Sequence, residues 1–335
     1  MKSYLRFLSR NKLYTAIEVV GLSVALAFVL IIGSYVWQEY SISHENPDYE
    51  RIYIPTQPMP YGIFEPMKEQ IPEIERITLV NSFDEVIMES DDERLVTKGL
   101  GVRGDFFDIF DYEFLIGDAG CLESYTDIII SESYAEKLAG KPELAMGMRI
   151  VPIDYTSQAY TVTGVIKDFD HNYWKYMDFI CKGESPLNES AQKNPIFTLS
   201  ATAFIKVAES ADGDALGGKI QDIFRQLWGE KLNAAMIDQF TVNIGIERFD
   251  KLYFSGEMID SYLNMGDRSQ IIILLIVSLL LLVSAVINYI NLNLALTNKR
   301  AKEMATRSLV GADKAHIAVK YILESIGFTA ICSIA

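Results

Sequence analysis

Ser269–Asn298 reads SQIIILLIVSLLLLVSAVINYINLNLALTN, thirty residues without a charge, closed by Arg268 and Lys299. A helix rises about 1.5 Å per residue, so roughly twenty residues cross the ~30 Å hydrocarbon core of a bilayer. This stretch is long enough to cross and to tilt or protrude. Ser278 is the one polar residue within its centre, Ile271–Val283. A surface helix of a water-soluble protein keeps a polar stripe, and none is present here. The segment predicts a membrane helix, which divides the chain.

A second such stretch lies upstream. Val19–Gln38 holds twenty residues without a charge between Glu18 and Glu39. Its basic approach (Lys2, Arg6, Arg10, Lys12) and the triplet at Ala25–Ala27 resemble a secretory signal. Cleavage there would leave FVLIIGSYVW, Phe28 to Trp37, as a new terminus. The apolar run passes straight through the site, so an uncleaved anchor is expected. A third apolar run starts near Tyr321 and reaches Ala335, where the chain stops. It reads as the beginning of a third membrane helix.

Charge predicts the orientation. Residues 1–17 carry four basic and no acidic side chains; residues 297–320 carry six basic and two acidic. Each flank is therefore +4. Residues 38–268 carry 20 basic and 41 acidic side chains, a net −21. Basic flanks stay in the cytoplasm, which puts the acidic middle outside. The expected organisation is a cytoplasmic N-terminus (1–14), a first membrane helix (15–38), a periplasmic domain (39–268), a second membrane helix (269–296), a cytoplasmic segment (297–320) and the start of a third helix (321–335). The fold class is a membrane protein with α-helical spans and a large mixed α/β extracytoplasmic domain.

Composition narrows the function. The whole chain has 335 residues, half of them apolar, 22% charged, with net charge −15. Such a chain is not disordered. Its acidity excludes binding to nucleic-acid backbones as its main task. Three cysteines do not make a disulfide scaffold. Cys121 and Cys181 would face an oxidising compartment, and a bridge between them is left open.

The middle segment reads as mixed α/β. β-branched or aromatic runs recur at Arg51–Pro55, Ile77–Val80, Asp127–Ser131, Tyr160–Ile166, Thr202–Val207 and Phe240–Ile246. Several alternate with period two, as half-buried strands do. Helical patterns cover Phe64–Glu73, Ser131–Leu138 and Leu216–Trp228. In the last, Leu216, Ile220, Ile223, Phe224 and Leu227 share one face. Residues 181–195 are polar with two prolines and read as a loop.

Catalytic chemistry is sparse. The three histidines are His44, His171 and His316. Asp168-Phe-Asp170-His171 resembles a metal site, yet no second histidine or cysteine cluster supports it, and it reads as a solvated turn. Neither GxSxG nor HExxH occurs. Gly213–Ile220 matches G-x-x-x-x-G-K, but Ile220 stands where the magnesium-binding hydroxyl is required. No catalytic, cofactor-binding or metal-binding residue is assigned.

The second basic flank carries the strongest resemblance. Residues 287–312, INYINLNLALTNKRAKEMATRSLVGA, run from the membrane helix into a basic segment that stops at Gly311. This resembles the FtsX-like permease domain of MacB-type ABC transporters. That family shows R-x-K-E-I-G-I-R-K-x-x-G-A after its second membrane helix. Arg300, Lys302, Glu303, Met304, Arg307, Gly311 and Ala312 match or conserve the pattern, while Ala305, Thr306 and Ser308 depart from it. Arg10–Ala27 is similar to the start of the family's first helix. Arg103–Phe110, Ile128–Leu138 and Tyr160–Asp168 are similar to its periplasmic core.

The resemblance implies a permease subunit of an ABC transporter in the bacterial inner membrane, working by mechanotransmission. It implies no enzyme activity of its own, with ATP and magnesium bound by a separate cytoplasmic ABC ATPase. Its other partners would be a second permease copy or homologous half, a periplasmic adaptor or cargo protein, and membrane lipids. The cargo classes are a drug, a peptide or a lipoprotein. A regulator of cell-wall hydrolases and a membrane sensor are the alternatives. The expected ATPase-coupling segment comprises Arg300, Lys302, Glu303, Met304, Arg307, Leu309, Gly311 and Ala312. Gly21/Ala25 and Ser23/Ala27 are small-xxx-small pairs that permit close helix packing. Asn288 and Asn291 share a face, either to bond across helices or to meet the headgroups.

Overall fold

The computed structural model describes residues 12–42, 44–90, 93–153, 159–168, 173–183, 200–209, 211, 213–229, 244–255, 262–295 and 319. The chain divides into two compact units, Tyr40–Gly266 on one side and Met1–Glu39 with Asp267–Ala335 on the other.

The first unit is an α/β domain. Its described residues form eleven strands: β1 (Ile52–Pro55), β2 (Met59–Pro60), β3 (Ile74–Ser90), β4 (Glu93–Gly104), β5 (Phe114–Ile116), β6 (Asp127–Ser131), β7 (Arg149–Pro152), β8 (Tyr160–Ile166), β9 (Phe179–Lys182), β10 (Ser200–Val207) and β11 (Ile246–Arg248). The sheet runs β11-β1-β10-β3-β4-β9-β6-β8-β5; β2 pairs with β10, and β7 pairs with both β3 and β8. The β4–β9 and β6–β8 pairs are parallel, and the other pairs antiparallel. The long β3–β4 hairpin is the spine. It changes register between Phe83 and Val86, where Glu85 adopts φ 58°. An extra residue at such a bulge bends the strand.

Period-two alternation sorts the core. On β10, Phe204 joins one cluster while Ala203 and Ile205 join another. On β6, Ile129 joins that first cluster while Ile128 and Ile130 join a third. One face of the sheet therefore carries a single continuous core. The other face carries two lobes, with Ile77 and Leu79 before the bulge in one and Val86 and Met88 beyond it in the other. Helix α2 (Phe64–Gln70) covers the first lobe.

The short helix α3 (Phe106–Ile109) belongs to the continuous core. Helix α4 (Glu132–Ala139), followed by α5 (Pro142–Ala145), covers the second lobe. Helix α6 (Leu216–Trp228) returns to the first lobe, and α7 (Phe249–Leu252) to the continuous core. Ser131 caps α4 by accepting from the Tyr134 amide at 3.2 Å, and Gly140 ends it at φ 76°.

Several expected boundaries shift. Helix α2 stops at Gln70 because Ile71 is extended ahead of Pro72, a position where a helical conformation clashes with the proline ring. The expected loop at 181–195 begins later, since β9 takes in Cys181 and Lys182 between β4 and β6. Of the expected strand Phe240–Ile246, Ile244 and Gly245 are irregular and the strand is Ile246–Arg248. Residues 240–243 lie outside the described residues.

The second unit contains two long helices. Helix α1 spans Lys12–Ile42 and α8 spans Arg268–Ala295. Both are long and apolar enough to cross a membrane over Val19–Ile42 and Arg268–Asn291. Leu22 near the start of α1 packs with Ala285 and Tyr289 near the end of α8. Buried or half-buried residues recur at alternating spacings of three and four: Leu22, Ala25, Val29, Ile32 and Val36 on α1, and Ile271, Leu274, Ser278, Leu281 and Ala285 on α8. That spacing is the narrow seam of a left-handed helix pair. Gly21 brings the chains close, since a Cβ there would lie 3.3 Å from the Asn288 amide nitrogen. Ala25 is buried, whereas Ala27 is exposed, so the Gly21/Ala25 pair faces the seam and Ala27 points away.

Candidate functional site

The two chain segments that continue into the long helices are anchored on the same core. At the end of α1, Ile42 is buried in the continuous core, and just beyond it the buried Asn46 donates from its side chain to the Ile109 carbonyl at 2.9 Å. Before α8, Tyr262 and Leu263 are buried in that core as well. The Lys175 amide donates to the Tyr262 carbonyl at 2.8 Å, and the Asn264 amide to the Tyr173 carbonyl at 3.0 Å. Tyr262 also donates to the Val80 carbonyl on β3 at 3.3 Å, and its ring stacks on Trp174 at 5.4 Å. At the centre stands Phe110, with ring centroids 5.0 Å from Trp174 and 5.1 Å from Phe204. Aromatic pairs at these distances add attraction beyond area burial. Rings from four distant stretches of sequence thus lock both segments to one body, a feature no local motif announces.

A groove opens beside this cluster, at the carboxyl ends of the parallel β4 and β9. It has a volume of about 380 Å³ and is lined by Phe64, Glu65, Arg103, Phe106, Phe107, Leu122, Tyr125, Lys182 and neighbours. Arg103 sits over the Phe64 ring at 5.0 Å and pairs with Glu65 at 3.3 Å. Lys182 sits over the Tyr125 ring at 5.3 Å and donates to the Glu123 carbonyl. Gly104, at φ 91°, lets Phe64 lie against the wall, where a Cβ would come within 2.6 Å of the ring. Phe106 links the groove to the cluster, 5.2 Å from Phe110 and 6.0 Å from Trp174.

Residues singled out in the sequence take structural roles here. Asp168 accepts from the Ser133 amide at 2.9 Å and from its hydroxyl, so it steadies the first turn of α4. His171 and His316 lie outside the described residues, and His44 contacts the Tyr40 carbonyl through Nδ1 at 2.9 Å. No group of three metal-ligating side chains occurs among the described residues. Ile220 is fully buried on the apolar face of α6. Lys219 pairs instead with Glu73, whose carboxyl is held below the usual range by that bond.

Cys121 and Cys181 are both free thiols. Cys121 packs with the continuous core and Cys181 with the second lobe, on opposite faces of the sheet, so the bridge left open above is not formed. Burial pushes the Cys181 thiol up to about 12. Burial likewise raises the Tyr160 hydroxyl, with the Cys181 thiol adding to the effect. Arg300, Lys302, Glu303, Met304, Arg307, Leu309, Gly311 and Ala312 lie outside the described residues.

With this geometry established, comparison with known proteins assigns the family. Residues 15–223 match the MacB-like periplasmic core domain, and residues 275–335 match the FtsX-like permease C-terminal domain. The chain belongs to the MacB/FtsX-like permease family. Members are permease subunits of ABC transporters, which implies a cytoplasmic ATPase partner. None of the curated proteins matches it.

Solved structures similar to this permease include a permease domain from Porphyromonas gingivalis, at 22% identity and TM-score 0.47, covering 56% of this chain and 88% of that one. The periplasmic region of MacB from Actinobacillus actinomycetemcomitans is similar at 14% identity and TM-score 0.39, covering 58% and 94%. The extracellular domain of the noncanonic ABC-type transporter YknZ from Gram-positive bacteria is similar at 14% identity and TM-score 0.41, covering 53% and 95%. The family and the two long apolar helices make the chain a membrane protein with a periplasmic-type α/β domain.

Proposed function

We propose that the chain is the permease subunit of an ATP-driven transporter of mechanotransmission type, spanning the bacterial inner membrane more than once. A separate ATPase on the cytoplasmic side holds ATP and magnesium. Its motion displaces the long helices, and the α/β domain on the far side moves a drug, peptide or lipoprotein outward. The observation that carries this reading is the shared aromatic anchor. Ile42 and Asn46 on one segment and Tyr262 and Leu263 on the other enter one core, so displacement of either segment is delivered to the same rigid body. Close-packed interiors transmit such displacement instead of absorbing it. The charge partition supports the orientation, with +4 flanks inside and a −21 domain outside.

The ATPase is gripped by the segment 299–312. It lies between two apolar stretches, so a push there acts on both. Met304 and Leu309 offer apolar contact, and Arg300, Lys302 and Arg307 offer charge-assisted hydrogen bonds to acidic groups. Gly311 followed by Ala312 is the residue pattern that commonly closes a helix. In the complete transporter, Met304→Asp and Gly311→Val are expected to leave membrane insertion intact while the ATPase no longer co-purifies. Full ATP-driven function and normal co-purification with these variants would refute the assignment.

A further inference from the structure

The outer half of the β3–β4 hairpin leaves one strand edge open. Beyond the bulge β4 pairs with β3 from Thr97 to Glu93, whereas β9 covers its other side only from Gly99 to Val102. Along a strand, successive residues direct their main-chain groups to alternate sides. Lys98 directs both of its groups away from β3, where Asp178 takes them. The Lys98 amide donates to the Asp178 carboxylate at 2.9 Å, and the Asp178 amide donates to the Lys98 carbonyl at 2.7 Å. Val96 and Arg94, two and four positions back, face the same way. Ile87, opposite Val96, agrees with this, since its carbonyl accepts from the Ile153 amide on the far side of β3. Among the described residues no strand pairs with β4 at Val96 and Arg94. Val96 is 68% exposed and heads an apolar row with the half-buried Ile87 and with Ile153, 43% exposed.

We propose that this edge takes up an extended, basic segment of a partner protein by strand addition. The segment lies antiparallel to β4 over Glu93–Thr97 and exchanges main-chain hydrogen bonds with Val96 and Arg94. One apolar side chain extends the Val96–Ile87–Ile153 row, and basic residues follow it toward the hairpin turn. A strand edge with unpaired amides and carbonyls is a template for another main chain, which an acyl chain cannot replace. Charge selects the kind of segment. The residues between and just after the paired strands read Asp91-Asp92-Glu93, and Glu93 is exposed. Arg94 does not offset them, because it is bonded to Glu89 at 2.7 Å. Asp178 closes the other end of the slot, so the segment begins there and its basic end reaches the turn. A second copy fits the charge poorly, since it would bring another domain of net −21 edge to edge with this one. The binding rests on the α/β domain alone and goes beyond the permease reading.

The test is fluorescence anisotropy of a labelled peptide, acetyl-Thr-Val-Leu-Thr-Lys-Lys-amide, titrated with the full chain in lipid nanodiscs. Its Val is set opposite Val96. An N-methyl group on that Val amide, which faces β4, should weaken binding about tenfold or more, as expected for a lost main-chain hydrogen bond. An N-methyl group on the following Leu amide, which faces solvent, should change little. Replacing Lys-Lys by Glu-Glu should also cost about tenfold or more. Val96→Pro removes the outward amide without touching a bond to β3, so it should abolish binding and leave the urea midpoint unchanged. Absence of binding by the parent peptide, equal loss from the two N-methyl groups, equal affinity of the Glu-Glu peptide, or binding that survives Val96→Pro each overturns the proposal. So does self-association of the peptide-free chain that Val96→Pro dissolves, which would give the edge to a second copy. If Val96→Pro fails to fold, the two N-methyl peptides on the unaltered chain still decide. None of these readouts involves an ATPase, so failure here leaves the permease reading standing, and failure of that reading leaves the strand edge standing.

Discussion

Phe110 in the α/β domain is fully buried among aromatic rings, whereas Leu30, Ile31, Leu279 and Leu280 on the long helices stay 60–64% exposed. Both regions are rich in apolar side chains, and they dispose of them in opposite directions. Burial from water drives the first arrangement. In the second, each helix satisfies its backbone internally, and the outward side chains suit hydrocarbon. The helix pair keeps only a narrow seam, where Gly21 and Ala25 permit close approach. An apolar side chain therefore holds the α/β domain together from inside, while on the helices it mainly selects the surrounding medium.

The contrast breaks outright if both regions share one solvent, and this carries the largest expected effect. In a background with Cys121, Cys181 and Cys332 replaced by alanine, Asp91→Cys should label fully with an impermeant thiol reagent on intact cells whose outer membrane is permeable to it. Asp313→Cys should label only after lysis. Labelling of position 313 but not 91 would invert the orientation.

Core truncation sharpens the same contrast. Phe110→Ala should destabilise the α/β domain by about 3–5 kcal/mol, as for other large-to-small aromatic core changes. Leu279→Ala, at a position that gains little from burial, should stay within about 0.5 kcal/mol, the usual range for surface changes. Urea unfolding of the full chain in micelles, followed by tryptophan fluorescence, separates the two. Comparable losses would place Leu279 in a protein core.

A smaller effect is expected at the seam. Gly21→Leu adds volume against the Asn288 amide, and overpacking of this kind costs about 1–3 kcal/mol. Oxidative cross-linking between Leu22→Cys and Ala285→Cys should fall several-fold in its presence. An unchanged yield would mean that the helices do not meet there.

The smallest effect is a slope. The folded chain holds the Cys181 proton more tightly than the unfolded chain does, since burial raises the thiol from 9.0 to about 12. Burial also raises Tyr176, to about 12 from 10.0. A group bound more tightly in the folded state stabilises it fully below the unfolded value and loses that contribution as pH rises to the folded one. Stability of the α/β domain should therefore decline between pH 9 and 12. Cys181→Ala should flatten the decline at its lower end, even though the variant starts less stable. A parallel decline in both proteins would assign it to the tyrosines.

Much of the fold was legible in the residues. Asp127–Ser131 and Tyr160–Ile166 have the bounds read from β-branching, and Leu216–Trp228 those of its helical stripe. These stretches carry strong local periodicity that tertiary contacts reinforce. The β3–β4 hairpin was legible only at Ile77–Val80, because beyond it Asn81–Glu85 mixes polar residues into the strand. Pairing of Asn81–Phe83 with β4 holds that part extended, not its own composition. The proposed coupling segment at 299–312 rests entirely on its basic pattern and on family resemblance.

Local composition sufficed where the deciding interaction is with solvent or with sequence neighbours. It determined two helices long and apolar enough to cross a membrane and an acidic α/β domain between basic flanks. Only the tertiary structure decided that Asn46, Phe110, Trp174, Phe204 and Tyr262 meet in one anchor, and that Arg103 and Lys182 border one groove. Those residues are up to some two hundred positions apart. Their juxtaposition follows from strand order and register, with β9 laid parallel beside β4 and β10 inserted between β1 and β3. Such long-range pairing is a property of the whole sheet, because each strand's alternating apolar face fits several neighbours and only closing all three cores at once selects among them.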